Sequence, residues 1–376
     1  VQNLHVSDVV FWGKLLRGSS EIELRCRRML TKSKLSILSS AGLLALSSSA
    51  NAALFIDWAI VGDAGNAADT TGKPNPVGAV AEEFRIMKYE FTNGLYTQFL
   101  NAVDPDGTNP NKIYNGLMGS SERGGISYTA GAAVGAKYAV KSNMSTKPVN
   151  HVSWFDAARV ANWIQGGALN FSVTDASASA PQNQGAYTVG VSDNGSAVAV
   201  NSGATIFLPS QDQWYKAAYY KGVGTNAGYW DYATQSDTRP SAVTADSLGN
   251  GSAGGTGNFV NAQTTADWNG QDGNVTSVGT NGGASAYGAF DMNGNVWEWN
   301  DLDGEAGAQR ELRGGHYREP LDYTSSSHVW GNFSMAPSAA EDPYVGFRLA
   351  SVAVPEPASS LLVLLSGGLL FLRRRA

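Results

Sequence analysis

The run Asp291-Met292-Asn293-Gly294-Asn295-Val296-Trp297-Glu298-Trp299 limits the possible folds of this chain more than any other stretch. It sets two carboxylates, Asp291 and Glu298, on either side of Gly294, a residue suited to a tight turn. Trp297 and Trp299 are candidates for the core. The carboxylates have two readings. They are oxygen ligands for a hard cation such as Ca²⁺, which accepts side-chain and backbone oxygens in loose geometry, or they are acceptors for buried backbone amides. Turn residues are abundant elsewhere too. With 44 glycines and 15% charged residues, the chain is expected to form long ordered loops in place of a helix bundle. No period of 20–50 residues is present, which argues against solenoids and propellers.

Both ends read as targeting segments. Met29 to Lys34 supplies a short basic stretch, Leu35 to Ser49 an apolar one, and Ala50-Asn51-Ala52 a small-x-small cleavage pattern. Residues 29–52 are therefore expected to be a signal peptide, residues 1–28 an upstream extension, and Ala53 the mature start. At the other end, Val354-Pro355-Glu356-Pro357 precedes the apolar run Leu361–Leu372 and the closing Arg373-Arg374-Arg375. An apolar helix before a basic stop follows the positive-inside rule, and this one is short for a stable span. Residues 354–376 resemble the PEP-CTERM sorting signal of Gram-negative bacteria, with Pro355, Glu356, Pro357, Arg373, Arg374 and Arg375 as sorting residues. The resemblance implies processing by signal peptidase and an exosortase. It also implies transient inner-membrane anchoring through a short transmembrane helix, then delivery to the cell surface or extracellular matrix. The alternative is a plain C-terminal anchor.

Between these ends, residues 53–357 carry 16 basic and 29 acidic side chains, a net charge of −13. Such a surface repels phosphate backbones, which argues against nucleic acid as a partner, and it suits divalent cations. The one cysteine, Cys26, precedes the expected mature start. The mature chain then has no disulfide and no thiolate for catalysis or metal ligation.

Local signals place a few elements. Thr92-Asn93 can cap a helix whose Leu95, Tyr96, Phe99 and Leu100 share a face. Ser153-Trp154-Phe155-Asp156 reads as a capping box for a helix that stops at Gly166-Gly167. Ser210 to Gln213 is another, opening a helix over Trp214–Tyr220. Phe84–Phe91 and Thr205–Pro209 read as strands. Asn170–Ala204 and Ala242–Gly257 are polar, Gly/Ser-rich candidate insertions.

Six segments in this order resemble the formylglycine-generating enzyme family, the sulfatase-modifying factors. They are Met87–Asn93, Lys147–Trp154, Leu208–Trp214, Asp291–Trp299, Leu312-Arg313-Gly314-Gly315 and Gly346-Phe347-Arg348-Leu349. The resemblance covers about Ala81 to Ala350, within a domain expected over 53–350. It implies an irregular α+β domain, C-type-lectin-like, with long loops and little regular structure. It also implies structural calcium at two places. One uses the Asp291 and Glu298 side chains with the Gly294 and Val296 carbonyls. The other uses the Asn258 and Asp272 side chains with the Phe259 and Asn274 carbonyls. The family's two copper-binding cysteines follow the Arg-Gly-Gly motif, five residues apart. Glu319 and Thr324 occupy those positions here, and neither supplies a soft thiolate for copper. Copper-dependent formylglycine generation is not expected, and the reading leans away from an enzyme.

The histidines His151, His316 and His328 show no metal-binding spacing. His316, Tyr317, Arg318, Tyr323, His328 and Trp330 are candidates for stacking on sugar rings or gripping a peptide, with core packing the rival reading for Tyr323 and Trp330. Arg313 and Arg348 read as structural. Three functions stay open: a non-catalytic binding protein for carbohydrate or peptide, a cysteine-independent oxidoreductase, and a structural component of an exopolysaccharide matrix.

Overall fold

The computed structural model describes residues 54–167, 183–190, 196–307, 309–328, 335–337 and 339–353. The expected export signal, the sorting residues Pro355, Glu356, Pro357, Arg373, Arg374 and Arg375, and the candidate Trp330 lie outside the described residues. Among the described residues no helix is long and apolar enough to cross a membrane.

Three helices begin where local capping chemistry dictates. Thr92 caps Asn93–Val103 by accepting from the Leu95 amide, and Tyr96, Phe99 and Leu100 are buried. Ser153 and Asp156 form a complete capping box on Trp154–Gln165. The chain leaves that helix at Gly167, where φ is +86° and a side chain would be strained. Ser210 and Gln213 form a second box on a helix spanning Gln211–Tyr219, so it starts three residues before the expected Trp214. Each cap satisfies end groups that would otherwise cost about 1 kcal/mol.

The strands are shorter than their apolar runs suggest. Phe84–Met87 is a strand, but Lys88–Phe91 is not. Lys88 donates its amide to Asp57, Phe91 donates to Phe347, and the Glu90 side chain turns inward. Of Thr205–Pro209, only Ile206–Phe207 is strand.

Two four-stranded sheets organise the domain. The first runs Trp58–Val61, Phe84–Met87, Ala350–Val352, Ile206–Phe207, with every neighbour antiparallel. The second runs Met335–Pro337, Gln309–Arg313, Trp297–Asn300, Val345–Phe347, and its last pair is parallel. Val345–Phe347 belongs to the second sheet and Ala350–Val352 to the first, so Arg348 and Leu349 sit where the chain crosses between them. Trp154, Trp297 and Trp299 belong to the larger apolar core and Trp214 to a second one.

The polar stretch Ala242–Gly257 is held by specific bonds. Ser241–Ala242 pairs in parallel with Phe259–Val260, and the Lys147 ammonium donates to the Leu248 carbonyl at 2.6 Å. Within Asn170–Ala204, residues 183–190 and 196–204 are described. There Tyr187 is buried and donates to Asp301 at 3.0 Å.

Candidate functional site

The strand Trp297–Asn300 turns Glu298 inward, and the crossing segment brings Arg348 to meet it. The Arg348 Nε and Nη2 each approach a Glu298 oxygen at 2.6 Å. The Trp214 indole donates to the same carboxylate at 2.8 Å. All three residues are fully buried. Arg348 also donates to the carbonyls of Met87 and Phe290, which ties both sheets to the Asp291–Trp299 loop. Asp291 is bound separately, by the Gly279 amide and the Asn281 side chain. Both expected calcium carboxylates therefore have partners on each oxygen, and a guanidinium already neutralises Glu298. These residues fit a calcium ion poorly.

Gly294 does the work expected of it, at φ +74°. A Cβ there would meet the Asn261 carbonyl at 2.3 Å, so only glycine fits. The neighbouring Val296 amide donates to Glu90, another buried carboxylate. Burial pushes the Glu90 carboxyl well above its ordinary range, with the charges of Asp291 and Glu298 adding to that and Arg348 opposing it.

The second expected calcium set is not gathered as proposed. Asn258 bonds locally to Thr234 and Thr238. Phe259 is 40% exposed, and the Asp272 carbonyl accepts from Arg123. The Asn274 carbonyl instead meets Asn261, three residues beyond Asn258, whose Nδ2 donates to it at 2.9 Å. The Asn261 Oδ1 is buried without a hydrogen-bond partner. Sequence reading missed Asn261 because two nearby asparagines offered the same chemistry.

The positions of the family's cysteines lie in a loop shaped by Gly314 and Gly315, at φ +97° and +83°. A Cβ on Gly315 would meet the Thr324 methyl at 3.0 Å. The two positions have different fates. Thr324 is sealed in the core, donating to the Leu321 carbonyl while its own carbonyl accepts from Asn293 and Tyr219. Glu319 is 8% exposed and sits against His316, with Oε1 3.6 Å from Nε2. Its Oε2 is sealed from solvent and makes no full hydrogen bond, although the Trp297 indole reaches the carboxyl.

The electrostatics follow from burial. Desolvation pushes the Glu319 carboxyl up to about 8, with the Trp297 indole pulling slightly the other way. Desolvation brings the His316 imidazole down to about 3, assisted by Arg318. Both groups are uncharged near neutrality, so their contact is a polar one between neutral groups and not an ion pair. The His316 Nδ1 accepts from the Arg318 amide at 3.1 Å, which leaves the imidazole proton on Nε2.

Aromatic rings frame the pair. His316 stacks on Tyr344 at 4.2 Å and 18°. His328 stacks on Tyr323 at 4.0 Å and 16°, and Tyr323 is 37% exposed. The Trp297 ring lies 6.4 Å from His316 and 6.5 Å from His328. Two further buried polar atoms here lack hydrogen-bond partners, the Tyr317 Oη and the His328 Nε2. Arg318 is exposed and donates to the Tyr344 hydroxyl. The structure thus gathers His316, Tyr317, Arg318, Tyr323 and His328, and adds Glu319, Trp297 and Tyr344. Tyr344 carries no local signal, since it arrives from the turn before Val345–Phe347.

His151 lies apart from this group. It is buried at φ +57°, and burial brings its imidazole down to about 4. Among the described residues no three His, Cys, Asp or Glu side chains are grouped to hold a metal ion. A cavity of about 300 Å³ lies elsewhere, lined by Met87, Tyr89, Leu95 and Val278 among others.

Several solved structures are similar to this chain. CarF has 18% identity and a TM-score of 0.48, covering 80% of this chain and 100% of its own. Treponema denticola variable protein 1 has 18% identity and a TM-score of 0.40, covering 79% and 95%. PvdO from Pseudomonas aeruginosa has 18% identity and a TM-score of 0.37, covering 79% and 92%. No curated protein sequence matches. Residues 57–353 match the sulfatase-modifying factor enzyme 1-like domain, and on that span, most of its length, the chain belongs to the FGE-sulfatase family.

Proposed function

We propose that this is an exported, non-catalytic carbohydrate-binding protein that uses the family scaffold without its thiol chemistry. One observation carries the reading: Tyr323, 37% exposed, is stacked on His328 at 4.0 Å in the segment whose Glu319 stands where the family places a cysteine. The exposed Tyr323 ring, backed by His328, offers a flat apolar face for the C–H side of a sugar. Affinity electrophoresis through gels containing soluble polysaccharides tests this. Retardation by at least one polysaccharide is expected, with Tyr323→Ala weakening it about fivefold, as for loss of one stacked ring worth about 1 kcal/mol. Migration unchanged across a broad polysaccharide panel would sink the reading.

The same assignment excludes the family's oxidation. Offered a peptide with a Cys-x-Pro-x-Arg motif, oxygen and copper, the protein is expected to yield no formylglycine. Glu319 and Thr324 offer no soft ligand for Cu(I), and the expected mature chain has no thiol. An aldehyde product by mass spectrometry would establish an enzyme.

We place calcium, as a structural ion only, in the loop of Asn261 and Asn274 and not at Glu298. The unpartnered Asn261 Oδ1 and the adjacent Asn274 carbonyl are hard oxygen donors of the kind calcium takes. An ion bound only by the folded state raises the melting midpoint by mass action. Calcium is expected to raise Tm, and Asn261→Ala to abolish that rise. A melting curve indifferent to calcium and chelator removes the ion from the proposal.

Export and surface delivery rest on the terminal segments. Replacing Pro355-Glu356-Pro357 by alanines is the test, with uncleaved protein retained in the inner membrane as the supporting result.

A further inference from the structure

We propose that the open edge of the first sheet is a self-association surface, and that its partner is a second copy of this chain. The two copies pair the strand Trp58–Val61 with itself, antiparallel, about a two-fold axis at Ala59. The proposal is independent of the carbohydrate reading.

The two four-stranded sheets have four outer edges, and three of them are guarded. Ile206–Phe207 closes the first sheet on one side, where the Gln165 side chain accepts from the Thr205 and Ile206 amides. In the second sheet the Phe347 carbonyl accepts from the Phe91 amide. The opposite edge, Met335–Pro337, carries a proline, which has no amide hydrogen to offer. Trp58–Val61 has none of these protections. Its bonding direction follows from its neighbour. The Met87 amide donates to Leu349 and the Lys88 amide to Asp57, so successive residues bond to opposite sides. Ile86 and Phe84 then bond to Ala59 and Val61, and the amides and carbonyls of Trp58 and Ile60 point away from the sheet.

The edge is also apolar. Ile60 is 55% exposed, and no charged residue lies between Asp57 and Asp63. Natural sheets guard such an edge with lysine, proline or a bulge. Antiparallel pairing requires residues whose backbone groups point outward to face one another. With the axis at Ala59, Trp58 of each copy faces Ile60 of the other, and each pair exchanges both of its backbone bonds. Each pair also sets an indole against a β-branched side chain on one face, a favourable cross-strand contact. An axis at Ile60 would put Asp57 opposite Asp63, like charge against like, whereas the axis at Ala59 puts Asp57 opposite Val61. For a domain of net charge −13, an uncharged edge is where two copies can meet. Strands this short bury less than the about 1,200 Å² of stable complexes, so the dimer is weak and forms as concentration rises.

Sedimentation velocity of the full mature protein is expected to show a mass that climbs from monomer toward dimer as concentration rises to about 1 mM, the range of weak complexes. Ile60→Lys, at an exposed side chain, should stay monomeric with an unchanged melting curve. Leu117→Lys, at another apolar residue that is 50% exposed, should dimerise like the parent. Introduced cysteines read the register, because the expected mature chain has none of its own. Trp58→Cys mixed with Ile60→Cys should give a disulfide-linked dimer under oxidation, and neither variant should do so alone. A parent that stays monomeric throughout, an Ile60→Lys variant that dimerises, or equal loss of the dimer in Leu117→Lys would overturn the edge as the interface. Folded cysteine variants that dimerise without cross-linking in the mixture, or that cross-link as well singly, would overturn the pairing about Ala59.

Discussion

Arg348→Met is expected to cost the domain about 3–5 kcal/mol, the loss seen when one partner of a buried ion pair is removed. That is a large part of the 5–15 kcal/mol typical of a whole domain. Arg348 is fully buried, and Glu298, Glu90 and Asp291 all act on it electrostatically. Methionine fills similar space but leaves the Glu298 carboxylate without its countercharge and the Met87 and Phe290 carbonyls without a donor. The crossing segment between the two sheets would lose its anchor at the same time. Glu298→Gln should cost less, because the amide oxygen still accepts from Trp214 and from one guanidinium hydrogen. Urea denaturation of both variants measures the difference. Arg348→Met within about 0.5 kcal/mol of the parent, the range of ordinary surface changes, would show that the cluster does not hold the sheets together.

This centre also marks how far sequence alone reaches. The three capped helices were legible, because a cap is a bond between residues three apart and its chemistry is written locally. The extent of Phe84–Phe91 was not. Its last residues look like strand, but Asp57 and Phe347 take their backbone groups and Asn295 takes the Glu90 side chain. The motifs around Glu298 and Arg348 were each visible, and neither contains the fact that they meet. Glu298 read in isolation looks like a carboxylate waiting for a metal. Fifty residues further on, the chain supplies a guanidinium that fills the same role. Asn261 was missed for a related reason. An orphaned oxygen is a property of the packed state, and Asn258 and Asn261 are equivalent until the loop closes on Asn274.

The ligand site divides in the same way. His316, Tyr317, Arg318, Tyr323 and His328 lie in one short stretch, and their proximity followed from the chain. That Thr324 would bond to the Leu321 carbonyl while Glu319 packs against His316 did not. Both stand at positions equivalent by motif. The difference lies in the short 3-10 turn Leu321–Thr324, which rotates Thr324 into the core. Trp297, from the second sheet, and Tyr344, from the turn before Val345–Phe347, build the walls against which His316 and Glu319 lose their charge.

That loss of charge gives the second large effect. Glu319→Gln is expected to make the protein more stable than the parent at pH 8, with the advantage vanishing by pH 4.5. The Glu319 carboxyl lies near 8 in the folded chain, against an ordinary value of 4.5. Between these values the folded state binds more protons than the unfolded one, so stability falls as pH rises, by at most about 1.4 kcal/mol per pH unit. Below 4.5 the group is protonated in both states and contributes no slope. Glutamine does not titrate, so the variant lacks this alkaline loss while keeping an oxygen toward His316. His316 acts in the opposite direction. Its folded value near 3 lies below the ordinary 6.5, so stability is lost as pH falls through that interval, in parent and variant alike. Other buried acids titrate in the same range, Asp301 near 7 among them, so the quantity to follow is the parent–variant difference and not either curve alone. Urea unfolding of both proteins from pH 4.5 to 9 supplies it. A difference that stays constant across that range would mean Glu319 is ionised throughout.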